Sequence, residues 1–371
     1  MNSKRRIPFF ILFIAGLLFF LFSCKKDFNP RDEYKDITLV YGLINPVDTL
    51  HYIRIHKAFL GPESVIVMAK EPDSSLYPVE DLDVRIFEIN QRTGNRMPLN
   101  VRDTIVVGRK DTTGYFYAPD QRAYYFEKIF EKNSIGEYRP ENDKIINIGI
   151  EVENKKTGKI VYAETTLVNS FNVKKPMKGT ILDLDPEQVS SKFEWTNAKN
   201  GRMYDVHYTM RYREGRNAEP TNNYDTKTLN WHVGTHFAAR TGNGTNQEEI
   251  FRFNPGAFYA QILRDVPYDT SVWRSPYVDV TLSIWCGSED FYYYYNINRP
   301  QGLAQERPEY TNLKTKRYSE ELGDYEELEG EAFGLFSSRI AQYIPIQLST
   351  KMTMEYLPKT DRQFKGVIYQ D

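Results

Sequence analysis

The chain has 371 residues, 40% hydrophobic and 26% charged, the balance of a folded body with room for more than one core. Its formal net charge is −2, and loss of the basic leader residues Lys4, Arg5 and Arg6 would make it −5. That balance excludes bulk neutralisation of phosphates, so nucleic acid is not an expected partner.

After Lys4-Arg5-Arg6 comes a 16-residue apolar run, Ile7 to Phe22, interrupted only by Pro8. A basic start and a short apolar core describe a secretory signal. A spanning helix needs about 20 apolar residues to cross ~30 Å of hydrocarbon, so the run is short for a permanent span. Leu21-Phe22-Ser23-Cys24 resembles the lipobox of bacterial lipoproteins: an apolar residue, a variable one, a small one, then cysteine. The resemblance implies a signal peptide over 1–23, cleavage before Cys24, and acylation of the Cys24 sulfur. Each buried CH₂ adds ~0.8 kcal/mol, so several acyl chains anchor stably. Lys25, not Asp, follows the cysteine, which in such lipoproteins implies the outer membrane. The run Lys25-Lys26-Asp27, with Asp32-Glu33 beyond, partly matches the acidic segment that sends some of them to the cell surface. The periplasmic and the outer face both stay open.

Residues 24–36 are polar and lack an apolar period, as a tether does. Ile37 to Tyr41 is a β run, 42–48 is turn material with Asn45-Pro46, and Leu50 to Lys57 alternates, so a hairpin is expected. Val65 to Ala69 is short and apolar and reads as one helical turn or a strand; short strands are expected at 103–107 and 114–118, and the aromatic 123–130 reads as a strand or an edge. Leu82 to Ile89 carries apolar groups on both faces and suits a central strand. Ile146, Ile148, Ile150 and Val152 face one way, and Asn147, Gly149 and Glu151 the other. This period of two, the turn 154–158 with its late Gly158, and the return over 160–167 predict a hairpin. A boundary near 169–179 divides the body into 37–172 and 177–371.

In the second half, 189–196 carries Phe193 and Trp195 near its end. Tyr204, Val206, Tyr208, Met210 and Tyr212 then alternate with Asp205, His207, Thr209, Arg211 and Arg213, one face core and one wet. A Trp-ending strand, a turn and a Tyr-rich strand resemble immunoglobulin- and fibronectin-type sandwiches. Leu229 to Phe237 follows, then a loop over 240–249. Asn254-Pro255 opens a short helix carrying Phe258, Ile262 and Val266. Val278, Val280, Leu282, Ile284 and Cys286 face inward on the next strand, and Ser288 caps a helix through Asn296. Residues 299–329 are rich in Pro, Glu and Lys, and late strands are expected at 333–336 and 343–348. The fold class expected is mainly β: two β-sandwich domains of immunoglobulin or fibronectin type with a few short helices.

Of the two cysteines, Cys24 is taken by lipid, which leaves Cys286 without a disulfide partner, a buried small hydrophobe on an inward face. Aromatics make up 14%, with 27 Tyr and 22 Phe, consistent first with a strand-rich body. Trp231 and Trp273, near loops, and Trp285, on the outward side of its strand, are candidate contacts for a sugar or a protein partner. The alternative for each is cover by a second layer. His232 and His236 stand four apart, but Val233 occupies the place of the zinc-protease glutamate, and the segment favours a strand, where four residues span ~13 Å. No metal site and no cofactor is expected. No Gly-x-Ser-x-Gly elbow occurs, so a hydrolase nucleophile is not indicated.

The segments Val40-Tyr41-Gly42-Leu43-Ile44-Asn45-Pro46, His51-Tyr52-Ile53-Arg54-Ile55, Lys57-Ala58-Phe59-Leu60-Gly61 and Phe333-Gly334-Leu335-Phe336, with the lipobox, resemble outer-membrane lipoproteins of the Bacteroidota. The resemblance implies β-sandwich modules and brings no active site with it. The leading expectation is a lipid-anchored, non-catalytic binding or scaffold subunit of an outer-membrane complex for secretion, gliding or nutrient uptake. A surface glycan-binding lipoprotein is the second reading, and a metal hydrolase using His232 and His236 the third.

Overall fold

The computed structural model describes residues 37–58, 75–107, 121–134, 136–138, 146–216, 223–242, 247–298 and 310–366. The leader, Cys24, the tether, the short apolar segment 65–69 and the strand expected at 114–118 lie outside the described residues. Among the described residues the body is mainly β, in three sheets.

The first half supplies β1 (Ile37–Ile44), β2 (Leu50–Ala58), β3 (Leu82–Asn90), β4 (Arg96–Leu99), β5 (Val101–Val106), β6 (Gln121–Glu127), β7 (Ile146–Asn154) and β8 (Lys159–Thr166). The expected hairpins form: β1 with β2, and β7 with β8. Ile148, Ile150 and Val152 are buried on one face of β7, as their period of two requires. β3 lies between β7 and β4, an interior place that fits its two apolar faces.

Next come β9 (Val173–Lys175), β10 (Ile181–Leu182), β11 (Ser191–Thr196), β12 (Met203–Arg216), β13 (Asp225–Phe237) and β14 (Glu248–Phe253). Helix α1 (Gly256–Asp265) starts where Asn254 Oδ1 accepts the Gly256 N–H at 2.8 Å, and it buries Phe258 and Ile262. β15 (Val272–Gly287) leads into α2 (Glu289–Asn298), whose first turn donates from Phe291 N–H to Ser288 Oγ at 3.4 Å. β16 (Lys314–Ser319), β17 (Asp324–Leu328) and β18 (Ala332–Leu348) complete the set.

The largest sheet runs β13-β12-β15-β18-β1-β2-β6-β5, with β10 beside β18. The second runs β17-β16-β8-β7-β3-β4, and the third β14-β11-β9. Strands from both sides of 173–176 are direct partners: β1 pairs with β18 in parallel, and β8 with β16 antiparallel. The end of the chain thus completes two sheets that its beginning opened.

Several elements differ from the sequence expectation. β18 is one strand of 17 residues, not two short ones, because its first part pairs with β1 and its second with β15. β14 occupies ground partly assigned to a loop, its alternate residues Glu249, Phe251 and Phe253 buried. The charged stretch before Glu329 holds the β16–β17 hairpin. Its register sets Lys316 against Glu327 and Arg317 against Glu326, opposite charges where apolar alternation would have marked a strand.

The second half packs around β12. Tyr204, Val206, Tyr208 and Met210 are fully buried on its inward face. Trp195 of the three-stranded sheet meets Tyr204 at 5.2 Å between ring centroids. The Tyr204 hydroxyl donates to Asn197 Oδ1 and accepts from Ala198 N–H, each at 2.7 Å, so this core tyrosine is fully paired. Among the described residues, no helix is long and apolar enough to cross a membrane.

Candidate functional site

The three tryptophans singled out from the sequence part company. Trp231 is 4% exposed and Trp273 is fully buried, whereas Trp285 is 37% exposed. Trp231 pairs with Tyr208 across β13 and β12, and so shares the inward face, packed on Phe253 and Phe258. Trp273 lies at the end of β15 where 272–276 are buried on both faces. A Cβ on its partner Gly215 would stand 2.3 Å from the indole Nε1, so only glycine leaves room for that ring. These two are core residues and are corrected as contact candidates: a second layer covers them. Cys286 is fully buried on the inward face, and burial pushes its thiol up to about 12.

Trp285 stands on the outward face of the largest sheet, opposite Asp205 of β12. Beside it the sheet gathers Asp205, His207 and His232. His207 Nε2 lies 2.6 Å from Asp205 Oδ2, and His232 Nε2 lies 2.7 Å from Asp205 Oδ1. Thr235 donates its hydroxyl to the same Oδ1 at 2.9 Å. Burial alone would raise the Asp205 pKa, but hydrogen bonds from His207, His232 and Thr235 outweigh it and hold the carboxyl below its usual range. An ionised carboxylate only accepts, so both imidazoles present Nε2–H to it. The His207 and His232 rings lie 4.9 Å apart, with Trp285 5.8 Å from His207.

A bulge assembles this group. Asp205 pairs with Thr235 and Val206 with Gly234, but His207 pairs with His232, leaving Val233 as the extra residue. Gly234 takes φ +149°, a conformation side chains disfavour, and a Cβ there would stand 3.1 Å from Phe251. The extra residue puts His232 and Thr235 on one face and sends His236 to the other. His236 Nε2 binds Glu249 Oε2 at 2.8 Å, and its ring meets Trp195 edge-on at 5.5 Å. The two histidines of the sequence pattern are thus on opposite sides of the sheet. The pair that does meet, His207 and His232, comes from neighbouring strands. Its one local trace was the outward Asp205-Val206-His207 alternation.

The Arg339 guanidinium lies 5.0 Å above the Trp285 ring. Arg339 also borders a groove of about 360 Å³ between β1, β2 and α2, lined by Tyr41, Leu50, Tyr52, Phe291 and Tyr294. Tyr41 and Tyr294 meet edge-on at 6.4 Å. Trp285, Arg339 and this groove form one surface carrying exposed aromatic groups and a cation. No protein-family model matches the chain, and no curated protein matches it.

Proposed function

We propose that this is a lipid-anchored, non-catalytic envelope protein that binds or scaffolds within an outer-membrane complex serving secretion, gliding or nutrient uptake. The observation that carries the reading is the surface from Trp285 through Arg339 to the Tyr41–Tyr52–Tyr294 groove. Aromatic and arginine side chains held at a surface by rigid strands are the groups that dominate protein contacts. The leader and lipobox support anchoring through Cys24 in the outer membrane. The immunoglobulin- or fibronectin-like sandwich belongs to the same proposal, supported by Trp195 packed on Tyr204 between two sheets.

The test has two parts. Mass spectrometry of the mature N-terminus reads the lipid on Cys24, and protease treatment of intact cells reads the face. A detergent pull-down then compares the full chain with its Trp285→Ala and Arg339→Ala variants. Co-purification of an envelope protein, lost in both variants, supports the proposal; an unlipidated Cys24, or recovery of the chain alone, removes it. The groove favours glycan binding as the second reading, because tyrosine faces stack on sugar rings. A glycan-array signal lost on Tyr52→Ala supports it, and silence on the array ends it.

A further inference from the structure

We infer that Asp205, His207 and His232 form a binding site for a divalent transition-metal ion of the zinc type. Among the described residues, no other three His, Cys, Asp or Glu ligand atoms come together within 4.8 Å. Two imidazole nitrogens and one carboxylate are a donor set that suits zinc and its neighbours in the first transition row.

The geometry is close to what such an ion requires. Each Nε2 lies 2.6–2.7 Å from a carboxylate oxygen. Zinc at ~2.0–2.2 Å from each donor sets neighbouring donors roughly 3.3 Å apart in a tetrahedron, so each imidazole–carboxylate distance widens by roughly 0.6 Å, and the three ligand atoms already lie within 4.8 Å of one another. His207 and His232 are both partly exposed, which leaves them free to make that movement. The ion takes the place of the two hydrogens now held between imidazole and carboxylate; each ring gives up its Nε2 hydrogen and takes one at Nδ1 by exchange with solvent, so both bind as neutral imidazoles with no net proton released.

The surroundings fit the same reading. Asp205 and His207 alternate on β12, and the Val233 bulge brings His232 to them from β13, so all three donors stand on paired strands. The Thr235 hydroxyl orients the carboxylate, as a hydrogen-bonded partner commonly does for a metal-binding group. With three protein donors on an open face, the remaining coordination position points to solvent and is free for water or for a donor from a partner. The site rests neither on the lipid anchor nor on the aromatic groove. Its failure would leave those readings standing, and theirs would leave it.

The experiment is a titration of the full chain in detergent, stripped with chelator, with Zn²⁺ in competition with a chromophoric chelator. The expected result is one Zn²⁺ per chain. His207→Gln and His232→Gln each weaken binding at least tenfold, Thr235→Val weakens it several-fold, and His236→Gln leaves it unchanged. Co²⁺ in place of Zn²⁺ should give visible bands of a nitrogen- and oxygen-ligated centre that vanish in the double variant His207→Gln/His232→Gln. Circular dichroism checks that each variant is folded. Failure of the folded chain to take up more Zn²⁺ than the double variant would overturn the assignment and leave the cluster as a hydrogen-bonded surface group.

Discussion

His232 and Thr235 stand three residues apart on β13 and yet face the same side of the sheet, both donating to Oδ1 of Asp205. Alternation would place them on opposite faces. The Val233 bulge, with Gly234 at φ +149°, makes the arrangement possible. Gly234→Val is expected to cost about 1–3 kcal/mol through backbone strain, and its side chain would press on Phe251. Urea unfolding measures the loss, and crystallography of the variant should find His232 turned from Asp205. A variant of unchanged stability would mean that the bulge tolerates a side chain.

The tryptophans separate in their effect on stability. Trp231→Ala and Trp273→Ala empty core sites and are expected to destabilise by about 3–5 kcal/mol. Trp285→Ala removes a partly exposed ring and its contact with Arg339, and is expected to cost no more than about 1 kcal/mol. Urea melts of the three variants check this ordering. Equal losses at all three would show Trp285 to be part of the core.

Stability should fall in mild acid through two histidines of β2, His51 buried and His56 half-buried. Burial, then the charge of Arg54, pushes His56 down to about 4, against a backbone hydrogen bond at Ser75 that pulls it up. Burial likewise lowers His51, whose ring stacks on Phe126 at 4.7 Å. A lowered folded value means that the unfolded chain takes up its proton first as pH drops. The stabilisation is therefore complete above about 6.5, the unfolded value, and is lost as pH falls towards 4. For His56 the loss is roughly 2 kcal/mol after discounting its residual exposure. Melting temperatures across that range should decline in the native chain and decline less in His56→Gln. Parallel curves would remove His56 as the source.

Cys286 should resist alkylation in the native state. Its sulfur is fully buried and its thiol is pushed up to about 12, so little thiolate forms near neutrality and reagent has no path to it. Mass spectrometry after iodoacetamide should find it modified only in denaturant. Rapid modification of the folded chain would mean that β15 opens locally.

Composition and alternation along the chain already showed a β-rich body. The sequence marked the β7–β8 hairpin, the inward faces of β12 and β15, and α1 behind Asn254, because each is written in alternation or in a cap within a few residues. It also placed Asp205 and His207 on a wet face and Cys286 on a dry one. The β16–β17 hairpin escaped because its strands are matched by charge, Arg317 to Glu326 at 3.1 Å, a pairing visible only once the register is known. The remaining features come from how distant strands pair. That pairing buried Trp273 under Gly215, split His232 from His236, and set His232 beside His207 from 25 residues away. Each is a matter of which strands pair, in what register, and where one residue is bulged. Those choices are made by long-range packing, and period-two patterns within a single strand carry no record of them.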